Sequence, residues 1–224
     1  MNPFKTLSEK PWLVSATGRP EELVLEPGYA AEIALKFFMA VVSVLFFLIT
    51  ITFLSRSQYP DFQALAGQPW QPFSDTSRLW FNTALLAMSS LAMHLGLGAS
   101  RKSHTGATVG YIACAGFFAV LFLLAQLDLW QHLQAMGFYV SSNPANSYFY
   151  LFTAIHGLHL LGGLFALCNV VFRVWYDGDV TALNKPLKLC MNYWHFLLLI
   201  WLLLFALLTS APDTINALAA MCGF

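Results

Sequence analysis

"LFTAIHGLHLLGGLFAL", residues Leu151–Leu167, is apolar enough to sit in lipid, yet two imidazoles, His156 and His159, lie in its middle. Gly163 stands one turn further on the same helical face, with Thr153 beside it. A long apolar run with a small and polar stripe reads as a membrane helix with a seam. Its lipid face is greasy, and its other face meets a neighbouring helix.

The composition agrees. Hydrophobic residues make up 58% of the 224 and charged residues 10%, and the mean hydropathy is +0.63. Soluble globular chains carry roughly 25% charged residues, so this is an all-α integral membrane protein. The formal net charge is zero, which points away from nucleic acid. The expected partners are phospholipids and other membrane proteins.

Five apolar spans are each near the roughly 20 residues needed to cross a bilayer. They fall at 31–54, 78–98, 107–127, 147–172 and 189–210. Residues 1–30 have no apolar core and read as a polar arm rather than a signal peptide, which leaves 31–224 as one five-helix domain. Lys5, Lys10, Arg19, Arg101, Lys102, Arg173, Lys185 and Lys188 fall on one side, with Lys36 snorkelling toward it, and only Arg56 and Arg78 fall on the other. The bias places the N-terminus in the cytoplasm and the C-terminus outside. The loops "SRSQYPDFQALAGQPWQPFSDTS" and "DLWQHLQAMGFYVSSNPAN" are then external. Cys114, Cys168, Cys190 and Cys222 form no CxxC pair and read as small core residues.

The second span has its own seam. Asn82, Ser89 and Gly96 recur at seven-residue spacing, with Ser90 adjacent. Such residues permit close helix approach and satisfy one another in lipid.

Three readings compete for the histidines. Each imidazole could bond a neighbouring helix or a lipid headgroup. It could ligate haem, as in membrane b-type cytochromes. It could serve a non-haem metal or a proton path. At about 1.5 Å per residue, His159 and His195 come out about 10 Å apart in level, which does not suit the two axial ligands of one porphyrin. His94 with His195 is the one plausible interhelical pair. His156 and His159 alone would underligate a transition metal, which takes three or four protein ligands. The spans hold almost no acids for a proton chain, since Glu32 and Asp128 lie at their edges. The midplane also lacks the charged or broken-helix site of a transporter.

Near the basic side, Tyr193, Trp194 and His195 approach the level at which Arg101 and Arg173 emerge. Guanidinium groups pair bidentately with phosphates, and Trp and His donate to ester or phosphate oxygens. An ordered headgroup is expected there, against the plainer reading that both arginines only set orientation.

"HGLHLLGG" followed by "NYWHFLLLIWLLLF" resembles subunit III of the haem-copper terminal oxidases. The matching residues are His156, Gly157, His159 and Gly163, then Tyr193, Trp194, His195, Phe196 and Trp201. Asn82, Thr83 and Ser89 resemble the family's L-x-x-NT helix, and Gln126 with Trp130 its Gln-x-x-Glu-aromatic stretch. The motifs occur in order across all five spans, as in the bacterial five-helix type.

The resemblance implies a subunit without haem, copper or catalytic residues of its own. Such a subunit packs against catalytic subunit I beside subunit II, holds phospholipid, and protects the oxidase during turnover. The haem and copper reside in the partner subunits. Three acidic positions of the family are replaced, by Val42, Leu129 and Leu198. These losses remove the acids on which a proton-collecting role would rest, and leave packing and lipid roles intact. Two alternatives stay open: a membrane b-type cytochrome, and an accessory subunit of an oxidase-like nitric oxide reductase.

Overall fold

The computed structural model describes residues 29–59, 62, 76–177 and 184–223, without the side chains of 173–177. The polar arm up to residue 28, most of the first external loop and the Arg173 side chain lie outside the described residues. Among those residues every regular element is helical: α1 Tyr29–Ser57, α2 Ser77–Arg101, α3 Thr105–Ala135, α4 Pro144–Asp177, α5 Asn184–Thr209 and α6 Pro212–Met221. The first five are long and apolar enough to cross a membrane.

α2 is the centre of the bundle. It packs antiparallel along α3 and lies against α5, which in turn packs on α4, while α1 touches α4, α5 and α6. Asn82, Thr83, Ser89, Ser90 and Ser100 of α2 are all buried. α1 presents Phe37, Val44 and Phe47 outward. Its Lys36 pairs with Glu32 one turn earlier at 2.9 Å. The Asn82–Ser89–Gly96 stripe faces α3. A Cβ on Gly96 would stand 3.3 Å from Tyr111 Cβ, so the missing side chain lets the two backbones close up.

α3 runs to Ala135, past the expected end near Leu127, into a segment read as loop. The extra two turns continue the buried stripe through Leu129 and Leu133. They end in a Schellman motif, in which Gly137 N–H donates to Gln134 O and Phe138 N–H to Leu133 O. Gly137 takes φ +89 there, a conformation open to glycine at no steric cost. Asn143 then caps α4, its Oδ1 accepting from Ala145 N–H at 2.9 Å, with Pro144 at the first helical position, where its missing N–H costs nothing.

The turn from α2 to α3 closes in the same way. Ser103 N–H donates to Ser100 O and His104 N–H to Ala99 O. Here the left-handed position, φ 58, is taken by Ser103 rather than glycine. At the other end of the bundle, α6 lies beyond the last expected span, 189–210. Pro212 starts it, Ala219 is buried, and Gln58 Nε2 of α1 reaches Asn216 Oδ1 at 3.3 Å.

Candidate functional site: polar seams, a cleft and a basic cavity

The buried polar side chains of α2 are spent on neighbouring helices. Asn82 Nδ2 donates to Gln126 Oε1 of α3 at 2.8 Å. Trp201 Nε1 donates to Thr83 Oγ1 at 3.0 Å, and Trp194 Nε1 to Ser89 Oγ at 2.8 Å. Ser89 Oγ donates onward to Ala115 O of α3 at 2.7 Å, so one hydroxyl joins three helices. Ser90 Oγ and His195 Nδ1 lie 2.6 Å apart. Trp194 and Trp201 are seven residues apart on α5, as are Thr83 and Ser90 on α2, so both sets form straight stripes. At the α2–α3 end away from Arg101, Arg78 and Asp128 pair at 2.6 Å. Both are well exposed, so the pair contributes little beside the buried seam.

His156 and His159 share a helix but not an environment. His156 is fully buried, its ring against Phe122 and Trp201 at 5.8 and 5.2 Å between centroids. Neither ring nitrogen has a hydrogen-bond partner among the described residues. His159 Nδ1 lies 2.8 Å from Ile155 O on its own helix. A carbonyl only accepts, so Nδ1 carries the proton and Nε2 keeps its lone pair in the neutral ring. The expected interhelical bonds from both imidazoles are thus absent among the described residues. A turn earlier lies a carbonyl that His159 reaches within its own helix, and the walls of the His156 pocket are aromatic carbon.

The Gly163 face meets α5 closely. A Cβ there would stand 3.0 Å from Tyr193 Cε1 and 3.2 Å from Trp194 Cζ3. Tyr193 Oη donates to His159 O at 3.1 Å. Beside this contact, α1, α4 and α5 enclose an apolar cleft of about 780 Å³, lined in part by Phe38, His159, Gly162, Tyr193 and Cys190.

Arg101 is elsewhere. It lines a cavity of about 500 Å³ between α2, α3 and α5 with His94, Lys102 and His104. Successive helical residues point about 100° apart. Tyr193 therefore faces α4 while His195 faces α2, and the expected single headgroup cluster is divided between two surfaces of α5. His94 and His195 face each other at 5.7 Å between ring centroids. Among the described residues no group of three or more His, Cys, Asp or Glu side chains is placed to hold a metal ion. The sequence reading missed the joint roles of Phe122, Lys102, His104 and Tyr111. The signal for the cavity was the run "RKSH" at a helix turn, two turns below His94.

Comparison with known proteins adds three relatives and a family. The family described as cytochrome c oxidase subunit III matches residues 26–210. A cytochrome bo(3) ubiquinol oxidase subunit 3 of Pseudomonas aeruginosa is 28% identical over 124 residues, 55% of this chain and 59% of that protein. A cytochrome c oxidase subunit 3 of Synechocystis is 30% identical over 127 residues, 56% of this chain and 53% of that one. A probable cytochrome c oxidase subunit 3 of Mycobacterium tuberculosis is 27% identical over 153 residues, 67% and 75% of the two chains. The chain thus spans between half and three fifths of the length of the first two relatives.

Proposed function

This chain belongs to the cytochrome c oxidase subunit III family, a multi-pass protein of the bacterial cytoplasmic membrane, and we propose that it is the non-catalytic third subunit of a respiratory haem-copper oxidase. In this reading it packs against subunits I and II, which carry the haem and copper and reduce dioxygen. It holds phospholipid in the cleft between α1, α4 and α5 and lengthens the working life of the complex. The N-terminus is cytoplasmic and the C-terminus external, with residues 1–30 as a cytoplasmic arm.

One observation supports the reading most. The motif residues Asn82, Thr83, Ser89, Trp194 and Trp201 bond one another or α3 inside the bundle. Polar groups consumed in this way organise a scaffold rather than a reaction. The acidic positions replaced by Val42 and Leu129 are buried and apolar, so no proton-collecting role is proposed. The cleft suits acyl chains because its lining is predominantly apolar. Purification on a tag attached to this chain tests the assignment. A haem- and copper-bearing partner should co-purify, and a chain recovered alone from mild detergent would refute it.

A specific observation favours one second reading, the His94–His195 pair across α2 and α5. A b-type cytochrome would show a Soret band in the isolated chain, lost on changing either histidine.

A further inference from the structure

The cavity between α2, α3 and α5 lies on a different surface from the acyl cleft, and its chemistry differs. Three cationic or cation-forming side chains, Arg101, Lys102 and His104, stand at its mouth. They lie at the last residue of α2 and the first residues beyond it, the level at which a spanning helix meets the headgroup layer. No acidic side chain lines the cavity. Neither Arg101 nor Lys102 has an ion-pair partner among the described residues. Two backbone bonds pin the turn that carries them, Ser103 N–H to Ser100 O and His104 N–H to Ala99 O. The charges are therefore presented from a fixed corner.

Below the mouth the lining changes. His94 lies two turns deeper, about 10 Å along α2, and Tyr111 stands on the facing helix. Leu95, Leu97 and Met191 supply apolar wall. Cations at the interface with Leu97, Leu95 and Met191 on the wall behind them match a phosphate joined to hydrocarbon. A partner's acidic side chain would need only the mouth, whereas an amphiphile uses the whole depth.

We propose that this cavity is a second lipid site, selective for a phospholipid of net negative charge. Arg101, Lys102 and His104 hold its phosphate, and one acyl chain lies along Leu95 and Met191. A guanidinium binds phosphate bidentately and an ammonium as a point charge. Basic pockets between spanning helices are suited to anionic headgroups. The site rests on the proposed membrane setting and is independent of the acyl cleft, because no residue of α1 or α4 lines it.

The test uses the intact complex in nanodiscs of phosphatidylglycerol or of phosphatidylcholine. Native mass spectrometry should find a phosphatidylglycerol retained per wild-type chain that the Arg101→Gln, Lys102→Gln variant lacks. Each basic side chain near the surface contributes about fivefold, so the double variant should bind that lipid about thirtyfold more weakly. Acylation of Lys102 in the wild-type protein gives a readout that needs no variant. Phosphatidylglycerol should protect it, whereas phosphatidylcholine and millimolar inorganic phosphate should not. Equal labelling in both lipids, or unchanged lipid retention in the variant, would overturn the proposal. Protection by inorganic phosphate alone would overturn it in favour of a free-anion site. Failure of the wild-type chain to co-purify with a haem-copper partner would strike the subunit assignment instead, and the labelling comparison would still stand.

Discussion

Ser89 of α2 accepts the indole N–H of Trp194 at 2.8 Å and donates its own proton to Ala115 O of α3 at 2.7 Å. One small hydroxyl thereby couples α5, α2 and α3 at full burial. Ser89→Ala removes both bonds and leaves a buried indole N–H without its acceptor. Trp194→Phe removes one bond and keeps the other. Interhelical bonds in membranes average about 0.6 kcal/mol, with maxima near 1.7. Ser89→Ala should therefore cost about 1 kcal/mol in unfolding of the micelle-bound chain. The double variant should cost less than the sum of the two singles, since they share a bond. Strict additivity would show that the Trp194–Ser89 contact contributes nothing.

Two adjacent glycines give a sharper contrast. A Cβ at Gly163 meets the Tyr193 and Trp194 rings at 3.0 and 3.2 Å, whereas one at Gly162 meets nothing within 4 Å. Gly163→Ala should force α4 from α5 at a cost of about 1–3 kcal/mol, the usual range for overpacking. Gly162→Ala should be neutral or slightly stabilising, because alanine favours the helix. Thermal midpoints of the two variants in the same detergent decide this. Equal midpoints would remove Gly163 from its role as a contact point.

The histidines of the opening motif should prove supportive. His156→Leu gives up no hydrogen bond to a described residue and retains much of the contact with Phe122 and Trp201. His159→Leu gives up the bond to Ile155 O and the aromatic contact with Phe38 and Phe46. The second change should loosen α1 and ease loss of the chain from its complex, more than the first. Neither should alter the oxidase's initial rate. An initial rate abolished in an intact complex would place the imidazoles in the chemistry.

Orientation is open to a direct check. Ser100 Oγ donates to Asn184 Oδ1 at 3.0 Å, so the end of α2 and the start of α5 share one end of the bundle. That end also carries Arg101, Lys102, Lys185 and Lys188. The positive-inside rule puts it in the cytoplasm. A reporter fused after Phe224 should be active only outside the cytoplasm. Activity only inside would reverse the topology.

The spans were legible because twenty-odd apolar residues in a row have one stable setting, a helix in lipid. The heptad stripe of α2 was legible for a similar reason, since Asn82, Ser89 and Gly96 cannot all face hydrocarbon at no cost. The ends of α3 were not. Past Asp128 the segment is too polar to read as a span, yet Leu129 and Leu133 continue the buried face, and tertiary packing extends the helix. α6 is short, and its start at Pro212 became clear only where Ala219 meets the bundle. The division of the headgroup cluster was hidden because packing sets both the start of α5, at Asn184 rather than near Leu189, and the face of the bundle to which each residue turns. Arg101 and Tyr193 also differ in level, since Asn184 of α5 meets Ser100 beside Arg101 whereas Trp194 meets Ser89, about 18 Å from Arg101 along α2.

The most direct measurement is turnover of the purified oxidase with and without this chain, with haem and copper quantified in both preparations. Removal should leave the partner's haem and copper content and the initial rate nearly unchanged, while the enzyme inactivates within fewer turnovers. Restoring the chain should restore the longer working life. Loss of one haem per chain on removal, or an initial rate that falls to zero while the partner keeps its metals, would contradict a supporting role.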